Sequence, residues 1–200
     1  MARTRQRGES GTASRILDIA ERLVQSRGFN GFSYADVASE LQVTKASLHY
    51  HFAGKAELGE ALIGRYTARF GEALAAIDAR VAPAPAKLDA YASIYAGVLR
   101  DHRMCLCGML AADYETLPEP MRDAVLRFFD DNEAWLVRVL EQGREEGTLR
   151  VDGPAREAAQ AIVGGLEGAM LIARPYGDVG RFETAATRLL ASLATAPREP

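Results

Sequence analysis

Thr44, Lys45, Ala46, Ser47, His49 and Tyr50 place two hydroxyls, an ammonium, a methyl, an imidazole and a phenol within seven positions. Presented along one helix, such groups suit the grooves of a nucleic acid. Lys45 near the helix start reaches guanine O6/N7 or a phosphate, Ala46 matches a thymine methyl, and Ser47 and Tyr50 offer hydroxyls to backbone oxygens. Lys55 opens the next helix after Ala53-Gly54, where exposed amides favour a phosphate. A second group is Cys105-x-Cys107 with His102 nearby. Its spacing is tighter than zinc sites use and it supplies too few ligands, which leaves a thiol redox switch or a buried pair of small apolar side chains. There is no Ser/His/Asp order, no phosphate-binding loop and no His-x-x-x-His pair, and His49-x-His51 falls on divergent helix faces. No catalytic residue, metal ligand or cofactor is expected.

The elements that must hold these groups are helices, since nearly every segment has helical spacing and none shows strand alternation. Ile16, Leu17, Ile19, Ala20, Leu23 and Val24 form an amphipathic stripe ended at Gly28. Phe29 and Phe32 plug the connection, and Ser33 with Asp36 predicts a capped second helix. Leu41 and Val43 flank a tight turn, Thr44 caps the third helix, and Leu48 points back at Val37, Ala38 and Leu41. That is a helix-turn-helix. Beyond it the spacing predicts helices from Lys55 to about Val81, around Tyr91 to His102, over 105–116, 121–146, from Pro154 to about Arg174, and over 179–194. The expected organisation is all-α: a basic flexible arm over 1–10, a DNA-binding domain over 11–54, a helical bundle over 55–195 and a disordered tail over 196–200, about nine helices in all.

Charge is divided as a polyanion-binding head requires. Residues 1–55 hold eight basic and five acidic side chains, whereas the rest holds sixteen basic and twenty-two acidic, within a net charge of −3. Arg3, Arg5 and Arg7 could lie in a flanking minor groove. The N-terminus lacks the apolar run of a secretory peptide. The most apolar stretch, 158–173, is interrupted by Glu167 and is too short for a membrane span. A cytoplasmic, membrane-free protein is expected.

Asp36-Val37-Ala38, Leu41-x-Val43-Thr44, Leu48, Tyr50-His51-Phe52 and Lys55-x-x-Leu58 together resemble the tetracycline-repressor (TetR) family over about residues 12–60. The resemblance implies a homodimer on a pseudo-palindromic double-stranded DNA operator, usually a repressor released by a small molecule. It places Thr44, Lys45, Ala46, Ser47, His49 and Tyr50 at or near the groove and Lys55 on a phosphate. Two positions depart from the family pattern. Gln42 stands where glycine is usual in the turn, at a cost on the order of 1 kcal/mol if the backbone is left-handed there. His49 stands in place of the first aromatic of the family's Tyr-x-x-Phe run.

The resemblance also implies an effector pocket among the helices of about 55–146. The aromatic and sulfur residues there, Tyr66, Phe70, Tyr91, Tyr95, Met104, Cys105, Cys107, Met109, Tyr114, Phe128 and Trp135, suit an apolar or aromatic ligand of unknown identity, and suit a plain core equally. Gly164, Gly165, Gly168 and Ala169 strip one helix face to backbone, which predicts a dimer seam or close internal packing. The rival readings are a thiol-based regulator using Cys105 and Cys107 on the same fold, an all-helical enzyme, and a helical module that binds protein instead of DNA.

Overall fold

The computed structural model describes residues 2–81 and 83–195, with side chains from residue 11 onward. Among these residues there are nine α-helices and no strand. The helices are α1 (Ala2–Arg27), α2 (Tyr34–Leu41), α3 (Lys45–His51), α4 (Lys55–Arg80), α5 (Ala84–Arg100), α6 (Leu106–Ala112), α7 (Glu119–Glu145), α8 (Ala155–Ala173) and α9 (Val179–Ala191). Among the described residues no helix is long and apolar enough to cross a membrane.

Two compact units are resolved by their internal packing. The first runs through Thr67 and takes in Leu106–Val125; the second comprises Ala68–Cys105 and the chain from Leu126 onward. The first unit therefore reaches past residue 54 and borrows a segment from later in the sequence. The helix α1 continues into the stretch expected as an arm; the side chains of Arg3, Arg5 and Arg7, and the tail 196–200, lie outside the described residues.

In the first unit, α1 packs on α2 and α6. Ile16, Ala20, Leu23 and Val24 face its core with Phe29, Phe32, Val37 and Leu41, as the apolar stripe requires. Arg65 of α4 braces α1 by ion pairs to Asp18 (2.7 Å) and the buried Glu21 (2.9 Å). The helix expected over 105–116 ends early, at Ala112, followed by a 3₁₀ turn over Tyr114–Thr116. The reason is tertiary. The Asp113 carboxylate accepts from the Phe29 N–H (2.7 Å), while Asn30 Nδ2 donates to the Thr116 hydroxyl (2.7 Å). These bonds take both residues out of the helix and fasten them to the α1–α2 connection.

In the second unit, α8 packs against α9 and α5, and α5 against α9. Pro83 and Pro85 bound α4 and also start α5, with Pro83 as N-cap and Pro85 in the first turn, where a missing N–H costs nothing. Pro120 sits in the first turn of α7 for the same reason, so α7 begins two residues before the expected start at 121.

Candidate nucleic-acid interface

Local sequence builds the helix-turn-helix almost without outside help. The Ser33 N–H and Oγ both donate to the Asp36 carboxylate at 2.7 Å, fixing the start of α2. These bonds also hold the Asp36 pKa below the usual carboxylate range. After α2, Gln42 adopts φ 57°, ψ 43°, the left-handed conformation, and its neighbour's N–H (Val43) closes on the Ala38 carbonyl at 3.0 Å. Thr44 is extended and its hydroxyl accepts from the Ser47 N–H at 3.3 Å, capping α3. Leu48 has no exposed surface and sits with buried Val37, Ala38 and Leu41. Burying a leucine contributes about 1.5–3 kcal/mol, which holds α3 in one orientation.

That orientation turns the predicted contact residues outward. Thr44, Lys45, Ala46, His49 and Tyr50 are exposed and Ser47 is half-buried. Tyr50 is 73 % exposed, unusual for so large a ring. Phe52 is buried and His51 half-buried, with His51 edge-on to Tyr50 (5.3 Å between centroids). His49 is held: its Nδ1 lies 3.0 Å from the Ala53 carbonyl and its ring 4.8 Å from Tyr34.

Two residues that the sequence reading passed over complete the support. Tyr34 donates its hydroxyl to the Phe52 carbonyl at 3.0 Å, tying the start of α2 to the end of α3. Burial, with help from Glu57, pushes its pKa up to about 12, so it remains a donor. Asp113 is the other, anchoring the α1–α2 connection as described. Neither carried a local signal, because the partner of each is a backbone group 18 or 84 residues away in sequence.

Lys55, expected on a phosphate, has partners within the first unit. Its ammonium donates to the Phe29 carbonyl (2.5 Å) and the Phe32 carbonyl (2.6 Å), and lies over both rings, 4.6 and 4.3 Å from their centroids. Desolvation lowers its pKa, partly offset by Asp113 and Asp36. The ammonium is thus engaged inside the unit, closing the plug that Phe29 and Phe32 form.

The expected pocket residues divide between the units. Tyr66, Cys107, Met109 and Tyr114 belong to the first; Phe70, Tyr91, Tyr95, Met104, Cys105, Phe128 and Trp135 belong to the second. In the second unit five of them form one aromatic cluster. Trp135 stacks on Tyr91 (5.6 Å, 22°), and Phe70 meets Tyr91, Tyr95 and Phe128 edge-on at 6.1, 6.1 and 5.2 Å. Both tyrosine hydroxyls are buried and bonded to each other (2.9 Å), with Tyr91 also on Asn132 Oδ1 (3.2 Å). Cys105 and Cys107 are buried thiols, and Cys105 is hydrogen-bonded to the Glu167 carboxylate. Both thiols are closed to solvent, unlike the cationic, accessible setting of reactive cysteines. This environment does not favour the redox reading.

On α8, Gly164, Gly165 and Gly168 are exposed and Ala169 is half-buried. A methyl added at Gly164 or Gly168 would meet nothing within 4 Å, so internal packing asks for neither glycine. The same face ends in Leu171, Ile172 and Tyr176, each about 60 % exposed.

Comparison with known proteins agrees with this geometry. Residues 16–62 match the model for bacterial regulatory proteins of the tetR family, and residues 84–189 match the model for the tetracyclin repressor-like C-terminal domain. A solved structure of a TetR-family transcriptional regulator from Agrobacterium tumefaciens superposes with a TM-score of 0.90. It is 31% identical over 94% of this chain and 100% of that one. The HTH-type transcriptional repressor NemR of Escherichia coli is 26% identical across 94% of this chain and 96% of its own length. The transcriptional regulator AcuR of Cereibacter sphaeroides is 27% identical across 74% of this chain and 69% of its own length.

Proposed function

The chain belongs to the tetR family of bacterial regulators and is a DNA-binding transcriptional regulator; from that premise we propose how its own residues perform the task. Two copies pair through α8 and α9 and lay their α3 helices in successive major grooves, about 34–36 Å apart, on a pseudo-palindromic operator. Lys45, Ala46, Ser47 and Tyr50 reach base edges and phosphates, with Thr44 and His49 at the rim. The observation that carries this is the outward face of α3, fixed from behind by Leu48 and presenting most of Tyr50 to solvent. Lys55 serves by holding the Phe29–Phe32 plug and not as a phosphate contact.

The dimer assignment rests on Gly164 and Gly168. Each weakens α8 by about 1 kcal/mol relative to alanine, and nothing among the described residues lies within 4 Å of the space they leave. Backbone approach by a second α8 gives that cost a purpose, and Leu171 and Ile172 supply the apolar area beside it. Operator release is assigned to a small molecule received in the second unit, as in a ligand-responsive repressor.

Footprinting on the upstream region of the protein's own gene tests the reading. Two protected half-sites one helical turn apart are expected. Lys45→Ala should weaken binding tenfold or more, roughly 1–3 kcal/mol. Protection without two-fold symmetry, or undiminished affinity in Lys45→Ala at physiological salt, would refute it.

A further inference from the structure

A cavity of about 220 Å³ opens in the second unit, where α5 ends and α8 turns into α9. Leu99 and Ala173, both buried, give it an apolar base. Its walls also hold His102, Arg103 and Arg174, with Asp178 and Val179 at the start of α9. None of the Tyr91 aromatic cluster lines it, and neither do Gly164, Gly168, Leu171 or Ile172 of the proposed seam. The volume lies below the roughly 300–1,000 Å³ of pockets that take drug-sized molecules. Its occupant is small.

The walls are rich in hydrogen-bond donors. Arg103 gives one N–H to Asp101 Oδ2 (2.7 Å), and its guanidinium carries four more. The His102 ring makes no hydrogen bond among the described residues. Val179 is the first residue of α9, so its N–H has no acceptor within the helix. The one carboxylate on the wall is already engaged: Asp178 Oδ1 accepts from the Gly180 N–H (2.9 Å), and Oδ2 lies 3.9 Å from Arg181 Nε. Position 102 adds a further sign. His102 has φ 56°, with its N–H on the Leu99 carbonyl (2.9 Å) and the Arg103 N–H on the Val98 carbonyl (3.0 Å), a left-handed helix stop that glycine ordinarily makes. Glycine would close the same turn with less strain, so what histidine adds there is an imidazole on the cavity wall.

We infer that this cavity binds a small organic carboxylate, whose oxygens meet Arg103, His102 and the first amide of α9 while its short apolar body lies on Leu99 and Ala173. The planar fork of a guanidinium matches a carboxylate in shape as well as charge. A neutral compound forfeits the charge-assisted bonds, and an ammonium meets cations and donors where it needs acceptors. As a site of control the cavity rests on the reading of the protein as a ligand-released repressor, to which it gives a place and a class of ligand.

The probes are butyrate, hexanoate and benzoate, each against the matching primary amide, with butylammonium as the cationic control, titrated into the full chain by calorimetry. At least one carboxylate should bind tenfold or more tighter than its amide and than butylammonium. Arg103→Gln should weaken carboxylate binding tenfold or more and leave amide binding within about threefold. His102→Gly keeps the turn, and should weaken carboxylate binding threefold or more with Tm unchanged or raised. The chain has three histidines, His49, His51 and His102, so ring resonances locate the site: the carboxylate should shift His102 and leave the other two. Equal affinity for every carboxylate and amide pair overturns the proposal, and that comparison needs only the wild-type protein. So does an undiminished preference in Arg103→Gln, or a carboxylate that binds without shifting His102. Operator release is read separately by gel shift. Carboxylate binding without release keeps the site and refutes its part in control; release by a neutral compound alone, with no carboxylate preference, refutes the site and keeps the ligand-released repressor.

Discussion

Lys55 offers a direct contest between a phosphate contact and an internal clamp, because the two roles leave different thermodynamic traces. Lys55→Met keeps the stem that crosses the Phe29 and Phe32 rings and removes the charge and the donors. Two bonds from a charged donor to the Phe29 and Phe32 carbonyls are lost; each is worth about 1.5–3 kcal/mol. The attraction to the rings adds about 0.5–1 kcal/mol. Against this, the variant no longer holds a half-desolvated ammonium, which returns part of the sum. The net loss is about 3 kcal/mol. For a chain of this length that lowers Tm by roughly 6–12 °C. A phosphate contact would instead show in the salt dependence of operator binding, where each neutralised phosphate contributes about 0.9 to the slope of log K against log salt. The assays are a thermal melt and a salt titration of operator affinity well below Tm. Lys55→Met should drop Tm and leave the slope unchanged, while Lys45→Ala should lower the slope by about 0.9 per protomer and leave Tm within a degree or two. A Lys55→Met protein with wild-type Tm and a reduced slope would refute the clamp.

Three other outcomes follow from particular contacts. Gln42→Gly should raise stability by about 1 kcal/mol in denaturant melts, because φ 57° burdens any side chain and the turn bonds are backbone bonds that glycine keeps; a destabilised variant would mean the Gln42 side chain contributes packing. Gly164→Lys should leave the fold intact, since a Cβ there meets nothing, yet raise the dimer dissociation constant a hundredfold or more in sedimentation runs; an undisturbed dimer would move the seam elsewhere. The pH dependence of stability should carry the signature of Glu167. Its folded pKa, about 7, lies above its reference value of 4.5, so the folded state binds the extra proton between the two. The stabilisation is complete below pH 4.5 and disappears as pH rises through 7, about 3 kcal/mol in all. Glu167→Gln should flatten that fall between pH 5 and 8; a fall of the same size in the variant would assign it to another group.

The helix-turn-helix was legible in the sequence because each of its decisions is local. Ser33 and Asp36 cap α2 across three residues, Thr44 caps α3 across three more, and Leu48 needs only the preceding helix to find its core. Gln42 shows how strongly those neighbours act: they impose a left-handed backbone on a residue that resists it. The amphipathic helices of the second unit were equally legible in number and order, since a 3.6-residue period survives without knowledge of what covers it.

Direction and partnership at long range were settled only by tertiary structure. A lysine after a helix-turn-helix reads as a phosphate ligand from sequence, and its bonds to the Phe29 and Phe32 carbonyls are visible only in the fold. Asp113 ends α6 because a backbone amide 84 positions earlier outbids one more helical turn. Aromatic residues between 66 and 135 all have the spacing of a core, and composition cannot say which share a cluster; five of them do, around hydroxyls that need one another. Glu167 read as a break in an apolar run, while its chemistry lies in what surrounds it. Sequence fixes the choices that neighbours along the chain can make, and burial, which depends on distant segments, decides which polar atoms are satisfied and which still await a partner.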